Sequence, residues 1–153
     1  MEGPSVFDFA GGSPAFLRLA TAHHERCLAD PVLNHPFSHP GHPDHVQRLA
    51  WYWAEVFGGP AIYSEASEGQ TGMLELHAGM GADDDLGDRF VKCFVRAADD
   101  AGLPEEPEFR RVLREYMEWA VRDVHGYNPP GSTVPPGLAI PRWSWRGLQT
   151  SAA

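Results

Sequence analysis

Apolar residues recur at helical spacing in four segments of the chain. A stripe of apolar residues at i, i+3, i+4 and i+7 is typical of a helix that buries one face. The stripes predict helices over about 14–29, 44–57, 83–101 and 105–125, and the last of these is the most regular. No segment shows the sustained apolar–polar alternation that is typical of a half-buried strand. The pattern therefore predicts an all-α domain.

Two segments depart from this helical pattern. Residues 61–81 are interrupted by glycines and hold one short apolar piece at 73–76, so we expect a functional connection there. Residues 128–153 contain five of the fourteen prolines. We therefore divide the chain into a domain over 1–127 and a Pro-rich C-terminal extension over 128–153. This extension is interpreted either as a loose polyproline segment or as a segment whose Trp143 and Trp145 pack on the body or bind a partner.

Composition and charge narrow the class of protein. A chain of 153 residues is long enough for one domain with its own core. With 12 basic and 21 acidic residues, the net charge of −9 argues against nucleic acid or an anionic membrane as the main partner. No apolar run is long enough for a membrane span, and the first residues do not resemble a secretory signal. Cys27 and Cys93 are too few for a disulfide framework, so a cytoplasmic protein with free thiols is expected.

Eight histidines form the most unusual feature of the composition. Four of them, His35, His39, His42 and His45, follow one another at spacings of four, three and three residues. The prolines between them exclude a single continuous helical face. This group is therefore interpreted either as solvated loop residues or as a metal site in a helical bundle.

His77 stands in a different environment, directly after the short apolar piece and between two long predicted helices. One interpretation is a partly buried histidine with a single hydrogen bond. The other is an axial ligand, because a haem needs a slot between helices, one imidazole on its iron and apolar walls. The candidate wall residues are Phe37, Leu49, Trp53, Phe90 and Phe94.

Short motifs of one protein family occur in order over residues 7–125. They are Phe7-Asp8-Phe9-Ala10-Gly11-Gly12, Ala29-Asp30-Pro31-Val32-Leu33, Arg48-Leu49, Gly58-Gly59-Pro60, Tyr63-Ser64-Glu65, Leu76-His77-Ala78 and Phe90-Val91-Lys92-Cys93-Phe94. In their order and spacing the chain resembles the bacterial truncated haemoglobins and is most similar to group II. The resemblance implies a truncated globin fold, which is a two-over-two helical sandwich around haem.

The resemblance also implies roles for individual residues. It makes His77 the proximal ligand of the iron and places Phe37 against the haem. Arg48 and Tyr63 fall where the group binds the haem propionates. Leu49 and Trp53 line the distal pocket. The expected cofactor is a noncovalently bound haem b, because the chain contains no Cys-x-x-Cys-His sequence.

On the distal side, the resemblance points to His24 and His45. His24 stands where the group usually has a tyrosine, and Phe90 stands where it usually has a tryptophan. An imidazole N–H of His24 or His45 would stabilise the partial negative charge of bound dioxygen. Three alternatives stay open: either imidazole ligates the iron itself, His24 faces solvent, or His45 is a surface residue at a helix start. The remaining histidines, His23 and His125, are expected at the surface.

Two classes of function follow from the resemblance. The first is a globin that binds dioxygen, nitric oxide or carbon monoxide for oxygen storage or transport or for nitric oxide detoxification, with a reductase as an expected partner. The second is a haem enzyme with peroxidase or nitric oxide dioxygenase activity, in which His24 and His45 act as catalytic acid and base.

Overall fold

Helices dominate the computed structural model. It describes residues 4–33, 44–66, 69–77, 84–127 and 131–149, without the side chains of residues 75–77 and 84. The helices are α1 (Val6–Ala10), α2 (Ser13–Ala29), α3 (His45–Val56), α4 (Ile62–Ala66), α5 (Gly69–His77), α6 (Asp84–Asp100) and α7 (Pro107–His125). Two strands, β1 (Arg142–Ser144) and β2 (Gly147–Gln149), form an antiparallel hairpin with Trp143 opposite Leu148. Of the described helices, none has the length and apolar character needed to cross a bilayer.

The four long helices lie where the apolar stripes predict them, within one or two residues at each end. Helix α2 packs against both α3 and α6, and α6 packs against α7. The helices therefore form two pairs, α2 with α3 and α6 with α7, that meet through α2 and α6. This arrangement confirms the predicted two-over-two sandwich.

Aromatic side chains fill the space between these helices. Phe16 on α2 stacks on Phe57 with ring centroids 5.8 Å apart, and Phe57 meets the edge of Tyr116 on α7 at 5.0 Å. Phe16, Phe57, Phe109 and Tyr116 are all fully buried. The core therefore connects the end of α3 with both α2 and α7.

Three short helices and the hairpin lie outside the four predicted helices. Ser5 caps the start of α1, because its hydroxyl accepts a hydrogen bond from the Asp8 N–H at 3.1 Å. Gly11 caps the end of α1 in the left-handed region, with φ of 116°. Helices α4 and α5 occupy the glycine-interrupted connection. They are too short to display a long apolar stripe, so their helical state depends on tertiary contacts. The all-α prediction is confirmed for the body, and the small hairpin is an addition to it.

The two glycines of the Gly58-Gly59-Pro60 motif are required for different reasons. Gly58 has φ of 103°, a conformation that other residues rarely adopt. A Cβ atom on Gly59 would lie 2.7 Å from the Phe7 ring and 2.8 Å from the carbonyl oxygen of Ala54. The second glycine therefore allows α1 to approach the end of α3.

Gly59→Ala is expected to lower the free energy of unfolding by about 1–3 kcal/mol, because the added methyl group overpacks this contact. Chemical denaturation followed by circular dichroism measures the change. In a Phe7→Ala background the penalty should shrink, since one of the two crowded partners is gone. An unchanged denaturation midpoint for the single variant would contradict the steric explanation.

Candidate functional site

His24 and His45, which the family resemblance assigns to the distal side, lie next to each other in the structure. His24 lies on α2 and His45 is the first residue of α3. Their ring centroids are 5.6 Å apart, and the planes are inclined by 60°. His24 is half-buried and His45 is exposed. Two imidazoles therefore face each other where α2 meets the start of α3.

His23 is fully buried, so the prediction that it lies at the surface is wrong. Its ring meets Phe90 at 4.4 Å and Trp53 at 5.3 Å between centroids, and its Nε2 lies 3.4 Å from the carbonyl oxygen of Phe90. Burial lowers the pKa of His23 to about 4, and the neighbouring His24 and His45 contribute to the shift. His23 is therefore neutral at physiological pH.

The sequence does contain a signal for this burial. Buried residues on α2 include Phe16, Leu19, Ala20, His23 and Cys27. These positions follow the i, i+3, i+4, i+7 and i+11 spacing of one helical face. His24 is one residue further along, about 100° around the helix, and points away from that face.

Three of the predicted wall residues surround His23. Trp53 and Phe94 are buried, with ring centroids 4.8 Å apart, and Phe94 lies 5.9 Å from the His23 ring. Phe90 and Leu49 are half-buried. The aromatic cluster around His23 therefore combines residues of α2, α3 and α6.

Arg48 and Tyr63 also lie together. The guanidinium carbon of Arg48 is 6.0 Å from the centroid of the Tyr63 ring, at the limit of a cation–π contact. Tyr63 is buried against Tyr52, whose hydroxyl donates a 2.6 Å hydrogen bond to the Gln70 side chain. This places one cation and one phenol side by side where α3 meets α4.

His77 is the last residue of α5. It follows Leu74 by three positions, and Leu74 is buried. The side chain of His77 lies outside the described part of the structure, as do Phe37 and the loop histidines His35, His39 and His42. Among the residues that are described, no three His, Cys, Asp or Glu side chains are grouped to hold a metal ion.

The two cysteines are free thiols, as predicted. Cys27 on α2 and Cys93 on α6 lie in one apolar cluster with Leu33. Burial raises the pKa of both thiols. The neighbouring Cys93 adds to the rise at Cys27, whereas the side-chain contact with Cys27 partly offsets the rise at Cys93. They are therefore protonated at physiological pH, and Cys27 Sγ contacts Nε2 of His23 at 3.6 Å.

A groove of about 740 Å³ lies elsewhere, between α6 and α7. Its walls include Val91, Val95 and Val121 together with Lys92 and Arg96. None of the predicted site residues lines it. The groove is consequently separate from the histidine and aromatic cluster.

The donor set of the cluster fits a haem. The neutral, buried imidazole of His23 lies against aromatic side chains, and the rings of His24 and His45 face each other, a combination that suits a flat apolar ring with a polar centre. Arg48 and Tyr63 suit its carboxylates. His77 ends a short helix and belongs to a different element from His24 and His45, so these histidines come from separate parts of the fold.

Comparison with known proteins supports the same interpretation. The family model described as bacterial-like globin matches residues 5–123. The haemoglobin of the actinobacterium Thermobifida fusca is 30% identical, with 83% of this chain and 99% of that chain covered and a TM-score of 0.65. The haemoglobin of the phototrophic bacterium Chloroflexus aurantiacus is 27% identical, covering 80% and 98% of the two chains with a TM-score of 0.69.

A more distant structure agrees in fold. The group II truncated haemoglobin of Bacillus anthracis is 16% identical, with 90% of this chain and 98% of that chain covered and a TM-score of 0.69. No curated protein sequence matches the chain. Because the family model covers well over half of the sequence and the solved relatives share the two-over-two sandwich, the chain belongs to the bacterial-like globin family and has the truncated haemoglobin fold.

Proposed function

We propose that this haem-binding globin holds one haem b without a covalent link and binds a diatomic ligand reversibly between the haem and His24 and His45. The observation that carries the proposal is the facing pair of imidazoles beside the aromatic cluster. His77 would hold the iron, Arg48 and Tyr63 the propionates, and Phe37 would pack on the ring. The iron supplies the coordination position for the small ligand, which is dioxygen, nitric oxide or carbon monoxide.

The described residues then perform two tasks. His24 and His45 each offer a ring N–H that donates a hydrogen bond to the negative end of a polarised ligand. The buried cluster of His23, Trp53 and Phe94 keeps water away, so that this hydrogen bond acts in a medium of low dielectric constant. Such a site suits dioxygen storage or transport, or nitric oxide detoxification with a reductase that returns the iron to its reduced state.

An optical spectrum of the purified protein tests this proposal. We expect a Soret band, a pyridine haemochrome of haem b and a stoichiometry of one haem per chain. Reduction followed by exposure to dioxygen should give an oxygenated spectrum, and carbon monoxide should give a distinct one. A protein that takes up no haem during expression or titration would overturn the proposal.

Replacing each distal histidine should accelerate ligand release. A hydrogen bond to a polarised ligand contributes about 1.5–3 kcal/mol, so His24→Leu or His45→Leu should raise the dissociation rate of dioxygen by about 10-fold to 100-fold. Stopped-flow replacement of dioxygen by carbon monoxide measures this rate. His125→Leu is the matched control because His125 is exposed at the end of α7. If both distal variants release dioxygen at the wild-type rate, neither residue is the donor.

A second candidate function is peroxide-dependent oxidation. It is favoured by the same pair of imidazoles, because one can accept and the other donate a proton during peroxide cleavage. Turnover of a phenolic dye with hydrogen peroxide, compared with free haem, tests it. Turnover that exceeds free haem and falls in His45→Leu would support this function, whereas turnover equal to free haem would exclude it.

A further inference from the structure

The C-terminal segment 131–149 folds back over the globin body. Trp143 is buried against Tyr116 and Trp119 of α7, at centroid distances of 5.6 and 5.7 Å. Trp145 packs on Phe9 at 5.2 Å, and its indole N–H donates a 2.9 Å hydrogen bond to the carbonyl oxygen of Pro4. The two tryptophans therefore anchor the segment on α7 and on the start of the chain, as the second interpretation of the extension predicts.

One polar attachment joins the segment to a buried carboxylate. Arg142 donates a 2.8 Å hydrogen bond to the carbonyl oxygen of Glu55 at the end of α3, and its Nη2 lies 3.8 Å from Glu55 Oε2. The Glu55 side chain is only 1% exposed. A carboxylate so buried needs charge and hydrogen-bond partners. Arg142 supplies the positive charge from outside the globin body.

The same carboxylate holds α4. Glu55 accepts a 2.9 Å hydrogen bond from the Ser64 N–H and another from the Ser64 hydroxyl. Ser64 follows Tyr63, one of the two residues proposed to bind the propionates. Glu55 thus connects Arg142 of the C-terminal segment with the short helix beside the haem edge.

A second polar attachment reaches α5, the helix that ends at His77. The Thr71 hydroxyl donates a 2.9 Å hydrogen bond to the carbonyl oxygen of Pro135 and accepts a 2.9 Å hydrogen bond from the Leu138 N–H. The Thr71 hydroxyl is therefore both a donor and an acceptor of hydrogen bonds with the C-terminal segment. Thr71 lies six residues before His77, which is about 9 Å along a helix.

Helix α5 is joined to α3 by the 2.6 Å hydrogen bond from the Tyr52 hydroxyl to the Gln70 side chain. Its main packing partner among the described helices is α4, which has only five residues and itself packs on α3. Helices of five and nine residues are not stable by themselves in water and keep their position through tertiary contacts. The contacts of Arg142 and Thr71 fall on these two short helices.

We propose that residues 131–149 form a strap that positions α4 and α5, and with them His77, relative to the haem. Arg142 and Thr71 are its positioning residues: Arg142 acts through Glu55 on α4, and Thr71 acts directly on α5. This inference rests on the proposed function, since it assigns the strap to the proximal side of the haem site. The strap lies outside residues 5–123, which the family model covers.

The test combines two strap variants with matched controls in the full-length, haem-loaded protein. Thr71→Val removes the hydroxyl while keeping the shape, and Thr71→Ser keeps the hydroxyl and should restore wild-type behaviour. Arg142→Met removes the charge, and Arg146→Met is its control because Arg146 lies exposed in the same hairpin. Adding Glu55→Gln to Arg142→Met removes the uncompensated carboxylate and keeps the protein measurable if the single variant folds poorly.

Amide hydrogen exchange is the first measurement. We expect Thr71→Val and Arg142→Met to accelerate exchange at least tenfold over residues 62–77, with little change over residues 107–125. The second measurement is the iron–histidine stretching band of the ferrous protein, which we expect to shift or broaden in these variants only. Haem transfer to an apoglobin acceptor should also become about tenfold faster.

Two outcomes would overturn the inference. Exchange that increases equally over 62–77 and 107–125, with an unchanged iron–histidine band, would make the strap a general stabilising element. Unchanged exchange over 62–77 would show that the strap does not hold α4 and α5. If the wild-type protein takes up no haem, the proposed function fails, and exchange over 62–77 still decides whether the strap holds these helices.

Discussion

Replacing His77 by alanine is expected to abolish stable haem binding. The proposed iron ligand is the last residue of α5, and residues 62–76 contain no other histidine or cysteine that could replace it. His24 and His45 belong to α2 and α3 and are assigned to the opposite side of the haem. Removing His77 would therefore remove the imidazole proposed to hold the iron, and with it the bond that fixes the haem.

The measurement is the haem content of the purified variant and its Soret band after titration with haem. Added imidazole should restore part of the band, because a free ligand can occupy the space that the side chain leaves. His125→Ala serves as the control for a histidine at the end of another helix, and it should retain a full haem complement. A His77→Ala protein with wild-type haem content and an unchanged ferric spectrum would contradict the proximal assignment.

The long helices were predictable because each buries a continuous apolar stripe. Phe109, Val112, Leu113 and Tyr116 on α7 are spaced at three and four residues, and all are buried. Helices α4 and α5 could not be predicted in the same way. Their sequences include Gly69 and Gly72, and their positions depend on contacts such as Glu55 with Ser64, which join residues of different elements.

The proximity of His24 and His45 could not be predicted from the residues alone, and their proposed distal role rests on family resemblance. Nothing in the spacing of His24 and His45 along the chain indicates that their ring centroids lie 5.6 Å apart. For the neighbouring His23 the situation is reversed. The helical stripe of α2 places it inward with Leu19 and Cys27, whereas treating the two adjacent histidines as polar surface residues places it in solvent. The position of His23 on the buried face of α2 predicts its burial, whereas the polarity of its side chain does not.

The C-terminal strap shows why composition misleads in short segments. The five prolines of residues 128–153, three of them in the strap, suggest an extended, solvated chain, yet Ile140 and Trp143 are buried. The partners of Trp143 on α7 are distant in sequence, and strands of three residues are too short to show alternation. Only the tertiary structure reveals that Arg142 reaches the carboxylate of Glu55.

The buried imidazole of His23 is expected to make the haem-free protein sensitive to acid. Its pKa falls from 6.5 to about 4 in the folded protein because burial disfavours the charged ring. Above pH 6.5 the ring is neutral in both states and adds no pH dependence. As the pH falls from 6.5 to 4, the unfolded chain binds the proton first, so the free energy of unfolding decreases by up to about 3 kcal/mol.

Urea denaturation of the wild type and of His23→Gln between pH 7 and pH 4 tests this expectation. Glutamine can still donate to the Phe90 carbonyl oxygen but does not titrate, so its curve of stability against pH should be flatter than that of the wild type. His24 and His45, which face His23, and Cys27, which touches it, are present in both proteins and cancel in the comparison. His125→Gln controls for the loss of an exposed histidine and should follow the wild-type curve. Parallel curves for the wild type and His23→Gln would mean that His23 can be protonated without unfolding, and that the aromatic cluster around it is open to water.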